Sequence, residues 1–265
     1  MEQAILNALS PEYPWRDRVH YLPEVDSTND RLKILAAQGA PHGTAVITDH
    51  QTGGHGRRGR SFLSPPGVGI YLSMLLRPEC PPADLMHLTC AVGVAMCDAI
   101  EKAAGFRPGI KWTNDLVSDR RKLGGILTEL RLDKNGNVDY AIIGIGINCC
   151  QREADFPEEI RTVAGSLAMV TGSPVDRARL AAAELEALHR MSADLLPRKA
   201  QIMTRYRRDC ITLGQEVSLV RGEEVRHGLA QDIDEDGALV VRFPDGHTEA
   251  VNSGEVSVRG MYGYV

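Results

Sequence analysis

The chain has 265 residues, a formal net charge of −5, 43% hydrophobic residues and 25% charged ones. That suits one sizeable domain plus a small one, and the acidic balance argues against a protein whose main task is to coat nucleic acid. The start, Met1-Glu2-Gln3-Ala4-Ile5, lacks the basic stretch of a signal peptide, and the longest apolar run, Ala141 to Ile147, is far too short to span a bilayer, so a soluble cytoplasmic protein is expected.

In chain order, residues 1–18 read as a short helix and an extended lead-in, and Val19 to Leu22 as a short strand. Asp26 or Ser27 is placed to cap the next helix, and Ser27 with Asp30 resembles a capping box. Leu32, Leu35 and Ala36 give that helix its apolar side, and Gly39 ends it. Ser27-Thr28-Asn29 is either a cap or a set of exposed donors holding a polar ligand group. Thr44 to Thr48 is a β-branched strand. It leads into Gln51-Thr52-Gly53-Gly54-His55-Gly56-Arg57-Arg58-Gly59-Arg60-Ser61, with four glycines and three arginines in eleven residues. The pattern G-x-G-x-x-G occurs within it, but a dinucleotide fingerprint needs a helix to start there. Pro65-Pro66-Gly67 and a strand, Gly69 to Leu76, follow instead. Two readings of this loop stay open: a solvated basic segment, or a flap that binds anions.

Ala83 to Ala104 reads as one core helix closed by Gly105. Lys111-Trp112-Thr113-Asn114-Asp115 follows a short strand and is either a polar turn or a cation and a carboxylate set to face a ligand. Lys122-Leu123-Gly124-Gly125 opens a strand to Leu132, Lys134 to Asn137 is a hairpin turn, and Val138 to Asn148 returns. Gly144 and Gly146 on one face of that strand leave room for a flat group. Pro157 to Met169, Asp176 to Leu196 and Arg198 to Cys210 read as helices, with Arg205, Arg207 and Arg208 on a solvated face. From Ile211 onward, five short alternating strands with turns at Asp236-Gly237 and Asp245-Gly246 suggest a small barrel of SH3-like type. The expected division is residues 1–210 and 211–265. The six cysteines include no C-x-x-C pair and read as reduced, mostly buried thiols.

Taken together, Ser27-Thr28-Asn29, Gln51 with Gly54-x-Gly56-Arg57-Arg58-Gly59-Arg60, Lys111-Trp112-x-Asn114-Asp115-Leu116, Lys122-x-x-Gly125-Ile126-Leu127 and Gly144-Ile145-Gly146-Ile147-Asn148, followed by a small barrel, resemble the biotin protein ligases over nearly the whole chain. Lipoate ligases look related in fold but lack this arginine loop. The resemblance implies an α+β fold: a mixed sheet flanked by helices, of the class II aminoacyl-tRNA synthetase kind, with the SH3-like barrel behind it. It implies a two-step reaction in which biotin and MgATP give biotinyl-5′-AMP and pyrophosphate, and a lysine of a biotin carboxyl carrier protein then takes the biotinyl group.

The resemblance also assigns roles. Biotin falls to Ser27, Thr28, Asn29, Gln51, His55, Gly56, Arg57, Lys122 and Gly125, with Lys122 near the carboxylate. ATP and the adenylate fall to Arg57, Arg60, Trp112, Asn114 and Asn148. Catalysis falls to Arg57, Lys111 and Asp115, and no protein metal site is assigned although Mg²⁺ accompanies ATP. Two positions depart from the family: His55 stands where Arg is usual, and Thr113 where Pro is usual. Some members carry an N-terminal helix-turn-helix, but only 26 residues precede Ser27 and three helices need roughly 40. No DNA binding is therefore expected, while a homodimer is compatible with the resemblance. A lipoate- or octanoate-transferring relative, a biotin sensor and an RNA-binding protein remain as alternatives at this point.

Overall fold

Between Val19 and Asn148 the β-branched runs join into one sheet. A computed structural model describes residues 1–221, 223–252 and 255–258. Its seven strands are β1 (Val19–Val25), β2 (Ala45–Gln51), β3 (Gly69–Leu76), β4 (Gly109–Lys111), β5 (Asp115–Ser118), β6 (Arg121–Leu132) and β7 (Val138–Asn148). Their order across the sheet is β1-β2-β3-β7-β6-β5-β4. Only β1 and β2 run parallel, so the sheet is mixed. The helices are α1 (Glu2–Ala8), α2 (Thr28–Ala37), α3 (Leu88–Ala104), α4 (Leu167–Thr171), α5 (Arg177–Asp194) and α6 (Lys199–Asp209). A second, antiparallel sheet holds β8 (Glu216–Arg221), β9 (Glu224–Ile233), β10 (Leu239–Arg242), β11 (Thr248–Val251) and β12 (Glu255–Val258), ordered β11-β10-β9-β8-β12. This is the expected fold class.

Alternation along the strands decides which face each side chain joins. Ala45, Ile47, Leu72, Met74, Ile143, Ile145 and Ile147 bury toward a large core shared with α3 and α5, while Val46, Leu75 and Ile142 bury beneath Leu32 and Ala36 of α2. With its lead-in, the segment Pro82–Ala104 is long and apolar enough to cross a membrane by composition, yet 72% of its apolar window is buried here, as befits the core helix of this fold. On the second face α2 has only ten residues. It covers one end of the sheet and leaves the other uncovered, and that is where the site forms.

Two predicted helices differ from the structure. The segment from Ala83 begins with a 3-10 turn, Pro82–Leu85, and turns α-helical only at Leu88. The chain re-aims at buried His87, whose Nε2 lies 2.9 Å from the Leu195 carbonyl oxygen. Residues 158–163 form turns rather than a helix, and only Leu167–Thr171 is helical. The reason is tertiary. The Lys122 N–H donates to the Val163 carbonyl (2.7 Å) and the Gly165 N–H to the Lys122 carbonyl (2.9 Å), so this backbone is spent on β6 instead of on itself. The α6 arginines are also paired rather than idle: Arg205 meets Asp98, and Arg207 donates to the Ile233 carbonyl (2.6 Å), tying α6 to the second sheet.

Glu184 sits fully buried on α5, and neither carboxylate oxygen has a partner among the described residues. Burial pushes its pKa well above the ordinary value, so the folded protein holds it protonated. A raised folded-state pKa gives stability that is present below the unfolded-state pKa and lost as pH rises. Glu184→Gln should therefore leave Tm nearly unchanged at pH 4 and raise it by an amount that grows as pH increases toward 8. A Tm difference that stays constant over that range would contradict this.

Candidate active site

Strand register lines the family motifs up in one row. Lys111 pairs with Asp115 across β4–β5, Asp115 with Gly125 across β5–β6, Gly125 with Gly146 across β6–β7, and Gly146 with Tyr71 across β7–β3. Paired residues share a face. A cation and a carboxylate therefore stand at one end of a floor cleared by glycines. This floor is the base of a cavity of about 630 Å³, roofed by residues 55–63 and walled by Phe156, Glu159, Ile160, Val163 and Ala164.

The glycines clear space for specific groups of the chain itself. A Cβ at Gly146 would stand 2.4 Å from the Phe62 ring, and one at Gly144 would stand 2.2 Å from Asn29 Oδ1. The room at Gly146 does hold a flat group, the Phe62 ring, which meets Tyr71 edge-on. The room at Gly144 holds an amide.

Ser27-Thr28-Asn29 is both a cap and part of the cavity wall. Ser27 Oγ accepts from the Asp30 N–H at 3.4 Å, but the return bond of a capping box is missing, because the Ser27 N–H goes to Asp26 Oδ1 (2.7 Å) and the Asp30 carboxylate to Lys33 (2.8 Å). Gln51 Oε1 accepts from the Thr28 N–H (2.9 Å) and hydroxyl (3.1 Å), while Gln51 Nε2 donates to Ser64 Oγ (2.9 Å). Ser73 Oγ bonds both Thr28 Oγ1 (2.7 Å) and Asn29 Oδ1 (2.5 Å), and Asn29 Nδ2 donates to Glu129 (2.8 Å). These buried polar groups hold one another in place, so they face a ligand already oriented. Ser64, Ser73 and Glu129 carry no local sequence signal and become visible only in three dimensions.

The arginine loop is a folded-back hairpin. Gly56 N–H donates to the Arg60 carbonyl (2.7 Å), Phe62 N–H donates to the Gly54 carbonyl (2.9 Å), and His55 bridges Ser61. Arg58 (φ 58°) and Gly59 (φ 72°) turn its tip through the left-handed region. The next element is a strand, so the dinucleotide pattern is excluded here. His55 Nδ1 lies 3.2 Å from the Gly53 carbonyl oxygen and His55 also lines the cavity, as do Gly56 and Arg60. Arg57 reaches inward: its Nη1 donates to Asn114 Oδ1 (3.1 Å), with Thr113 Oγ1 at 3.5 Å. Burial, and then the neighbouring Arg58, lower its pKa from the usual value. A half-buried guanidinium in such a place favours an anionic ligand.

The turn carrying Lys111 to Asp115 is pinned on three sides. Trp112 N–H donates to Thr212 Oγ1 (2.9 Å), the Trp112 indole N–H donates to the Gly237 carbonyl (2.9 Å), and the Tyr206 hydroxyl donates to the Thr113 carbonyl (3.0 Å). The Trp112–Thr113 peptide is cis. Trp112 is 5% exposed, so only an edge of its ring reaches the cavity. Asn114 bonds back to β6 through Nδ2 and the Ile126 carbonyl (3.0 Å). Lys111 is 4% exposed. Lys122 Nζ lies over Gly125 and 2.7 Å from Asp115 Oδ1. Asn148 closes the far end of the floor and is 7% exposed. Every residue expected at the site from sequence thus lines or frames this one cavity. Phe62, Leu63 and the wall at 156–164 belong to none of the sequence motifs, and from Pro157 on that wall falls in a stretch whose sequence reads as a helix.

Among the described residues no three His, Cys, Asp or Glu side chains come together to hold a metal.

Residues 21–148 match the model of the Biotin/lipoate A/B protein ligase family, and residues 212–259 match that of the biotin protein ligase C terminal domain. The bifunctional ligase/repressor BirA of Escherichia coli is 34% identical over 247 residues, covering 91% of this chain and 74% of that protein. The biotin–[acetyl-CoA-carboxylase] ligase of Mycobacterium tuberculosis is 32% identical over 249 residues, covering 91% of this chain and 89% of that one. The solved biotin protein ligase from Aquifex aeolicus in complex with biotin and ATP matches with a TM-score of 0.76 at 32% identity, over 91% of this chain and 98% of that chain.

Proposed function

Because the chain belongs to the biotin protein ligase family, we propose that this cavity runs both half-reactions of an ATP-dependent biotin–protein ligase. A biotin carboxylate oxygen attacks the α-phosphorus of ATP, pyrophosphate leaves, and biotinyl-5′-AMP remains. The neutral ε-amine of a carrier lysine then attacks the acyl carbon, AMP leaves, and an amide forms. The observation that carries this reading is the convergence of Lys111, Asp115, Lys122 and Arg57 on a glycine-cleared floor.

The first step brings an anionic carboxylate to a polyanionic triphosphate, so cations must offset repulsion and stabilise the charge that develops. Lys122 holds the biotin carboxylate, while Ser27, Thr28, Asn29, Gln51, Gly125 and the loop at His55-Gly56 hold the rest of biotin. Lys111 and Arg57 face the reacting phosphate. Arg60, Asn114, Asn148 and the edge of Trp112 hold the nucleotide. Mg²⁺ enters with ATP, which needs no dedicated protein cage, and lessens the phosphate charge. Closure of the arginine loop keeps water from the mixed anhydride. Asp115 orients the incoming lysine or takes its proton.

The acceptor is a biotin carboxyl carrier protein, and the setting is the cytoplasm. The catalytic part is placed at residues 1–210 and the small β-domain at 211–265. Residues 1–26 hold α1, a 3-10 turn at Arg16–Arg18 and β1, and no operator DNA binding is proposed for them.

Arg57→Gly tests the flap. The variant should still form biotinyl-AMP but lose it to solvent at least about tenfold faster, the effect of losing one charge-assisted contact. Retention of labelled adenylate after rapid desalting measures this, and unchanged retention would refute the assignment. Parallel reactions with biotin and with lipoate, each read by mass spectrometry of the carrier, test the substrate class. Labelling by biotin alone is expected.

A further inference from the structure

We propose that Gln151, which the family motifs do not include and which does not line the cavity, is a positioning residue for the ATP half-reaction, acting through Asn148. This rests on the reading that Asn148 contacts the nucleotide. Asn148 Nδ2 donates to the Gly165 carbonyl at 2.9 Å. A carbonyl oxygen only accepts, so this bond decides which end of the Asn148 amide is nitrogen. Asn148 Oδ1 then faces Gln151, whose Nε2 donates to it across 3.2 Å. With both ends held, the amide cannot flip, and it keeps one N–H and one lone pair for a ligand.

Gln151 is itself tied down. It is 2% exposed. Its carbonyl accepts from Ser166 Oγ at 2.6 Å, and Ser166 Oγ accepts in turn from the Met169 N–H at 3.2 Å, capping α4. Its own Oε1 is buried with no partner among the described residues. A buried acceptor without a partner destabilises a fold, and an apolar side chain of similar volume would avoid that cost. What the amide contributes in exchange is its one bond to Asn148. Gln151 therefore acts on the orientation of Asn148, not on the packing beneath it.

The test compares Gln151→Met, Gln151→Glu, Asn148→Ala and the double variant Asn148→Ala with Gln151→Met, in biotin-dependent ATP–pyrophosphate exchange across a range of pH. Gln151→Met should raise KM for ATP by about three- to tenfold with little change in kcat, as loss of one neutral hydrogen bond requires. Its biotin affinity and Tm should match the parent protein or better it. Gln151→Glu keeps a donor to Asn148 Oδ1 while its carboxyl is protonated, so its KM for ATP should climb with pH as the carboxylate forms and sets lone pairs against that oxygen, whereas the KM of Gln151→Met should not. The double variant should be no worse than Asn148→Ala alone, since both changes remove the same function. If Asn148→Ala raises KM for ATP while both Gln151 variants keep the parent value, the inference fails and the reading of Asn148 survives. If Asn148→Ala leaves KM for ATP unchanged, the reading of Asn148 fails and the inference with it.

Discussion

Replacing Lys111 with alanine should slow biotin-dependent ATP–pyrophosphate exchange by about 10²–10³-fold while changing biotin affinity by less than about twofold. Lys111 ends β4 and is 4% exposed. A cation there would act through protein rather than through bulk water, so in the proposed adenylation step its field on the α-phosphate would be strong. The charge it meets grows only as the carboxylate oxygen closes on phosphorus. An interaction made mainly in the transition state shows in kcat, whereas one made equally with bound substrate shows in KM. Lys111 should therefore differ from Lys122, whose loss should weaken biotin binding itself. Biotin titration of the variant in the absence of ATP, beside the exchange assay, separates the two. Exchange at the parent rate would show that Lys111 does not serve adenylation.

Asp115→Asn should uncouple the two half-reactions. Adenylate should still form, and its transfer to carrier should slow by about 10²–10⁴-fold, the range for losing a positioned general base. Asp115 Oδ1 lies 2.7 Å from Lys122 Nζ, with both side chains mostly buried. A biotin carboxylate arriving at Lys122 would share that ammonium and release part of Asp115 to face the incoming amine. Asparagine keeps the shape and can still accept from Lys122, but it cannot take a proton. Preformed adenylate on the variant, chased with excess carrier in a single turnover, gives the transfer rate directly. A chase as fast as that of the parent would remove Asp115 from the second step.

Much of this site was legible in the chain. Lys111 and Asp115 are four residues apart on either side of a tight turn, a local pattern that pairs them across two strands. Gly144 and Gly146, alternating with isoleucines, mark a strand with one bare face. What could not be read is which strands become neighbours. Gly125 meets Gly146 only through the β6–β7 register, and Asn29 reaches Ser73 and Glu129 across 44 and 100 residues of chain. Such partners follow from sheet order, which no window of sequence contains. Residues 158–163 show the opposite failure. Their composition suits a helix, but Lys122 claims the backbone of Val163 and Gly165, and tertiary pairing outweighed local propensity. The glycine-arginine loop carried a dinucleotide pattern in its letters, yet the strand that follows it has no helix N-terminus to offer a pyrophosphate.

On the proposed mechanism one cavity makes an acyl-adenylate and keeps it until a carrier lysine arrives. Incubation with biotin and MgATP but no carrier, removal of free small molecules and native mass spectrometry test this most directly. The expected result is a chain carrying one biotinyl-AMP. Addition of a biotin carboxyl carrier domain should then release AMP and place one biotinyl group on one carrier lysine. A chain that holds no adenylate under these conditions and leaves the carrier unlabelled would rule this mechanism out.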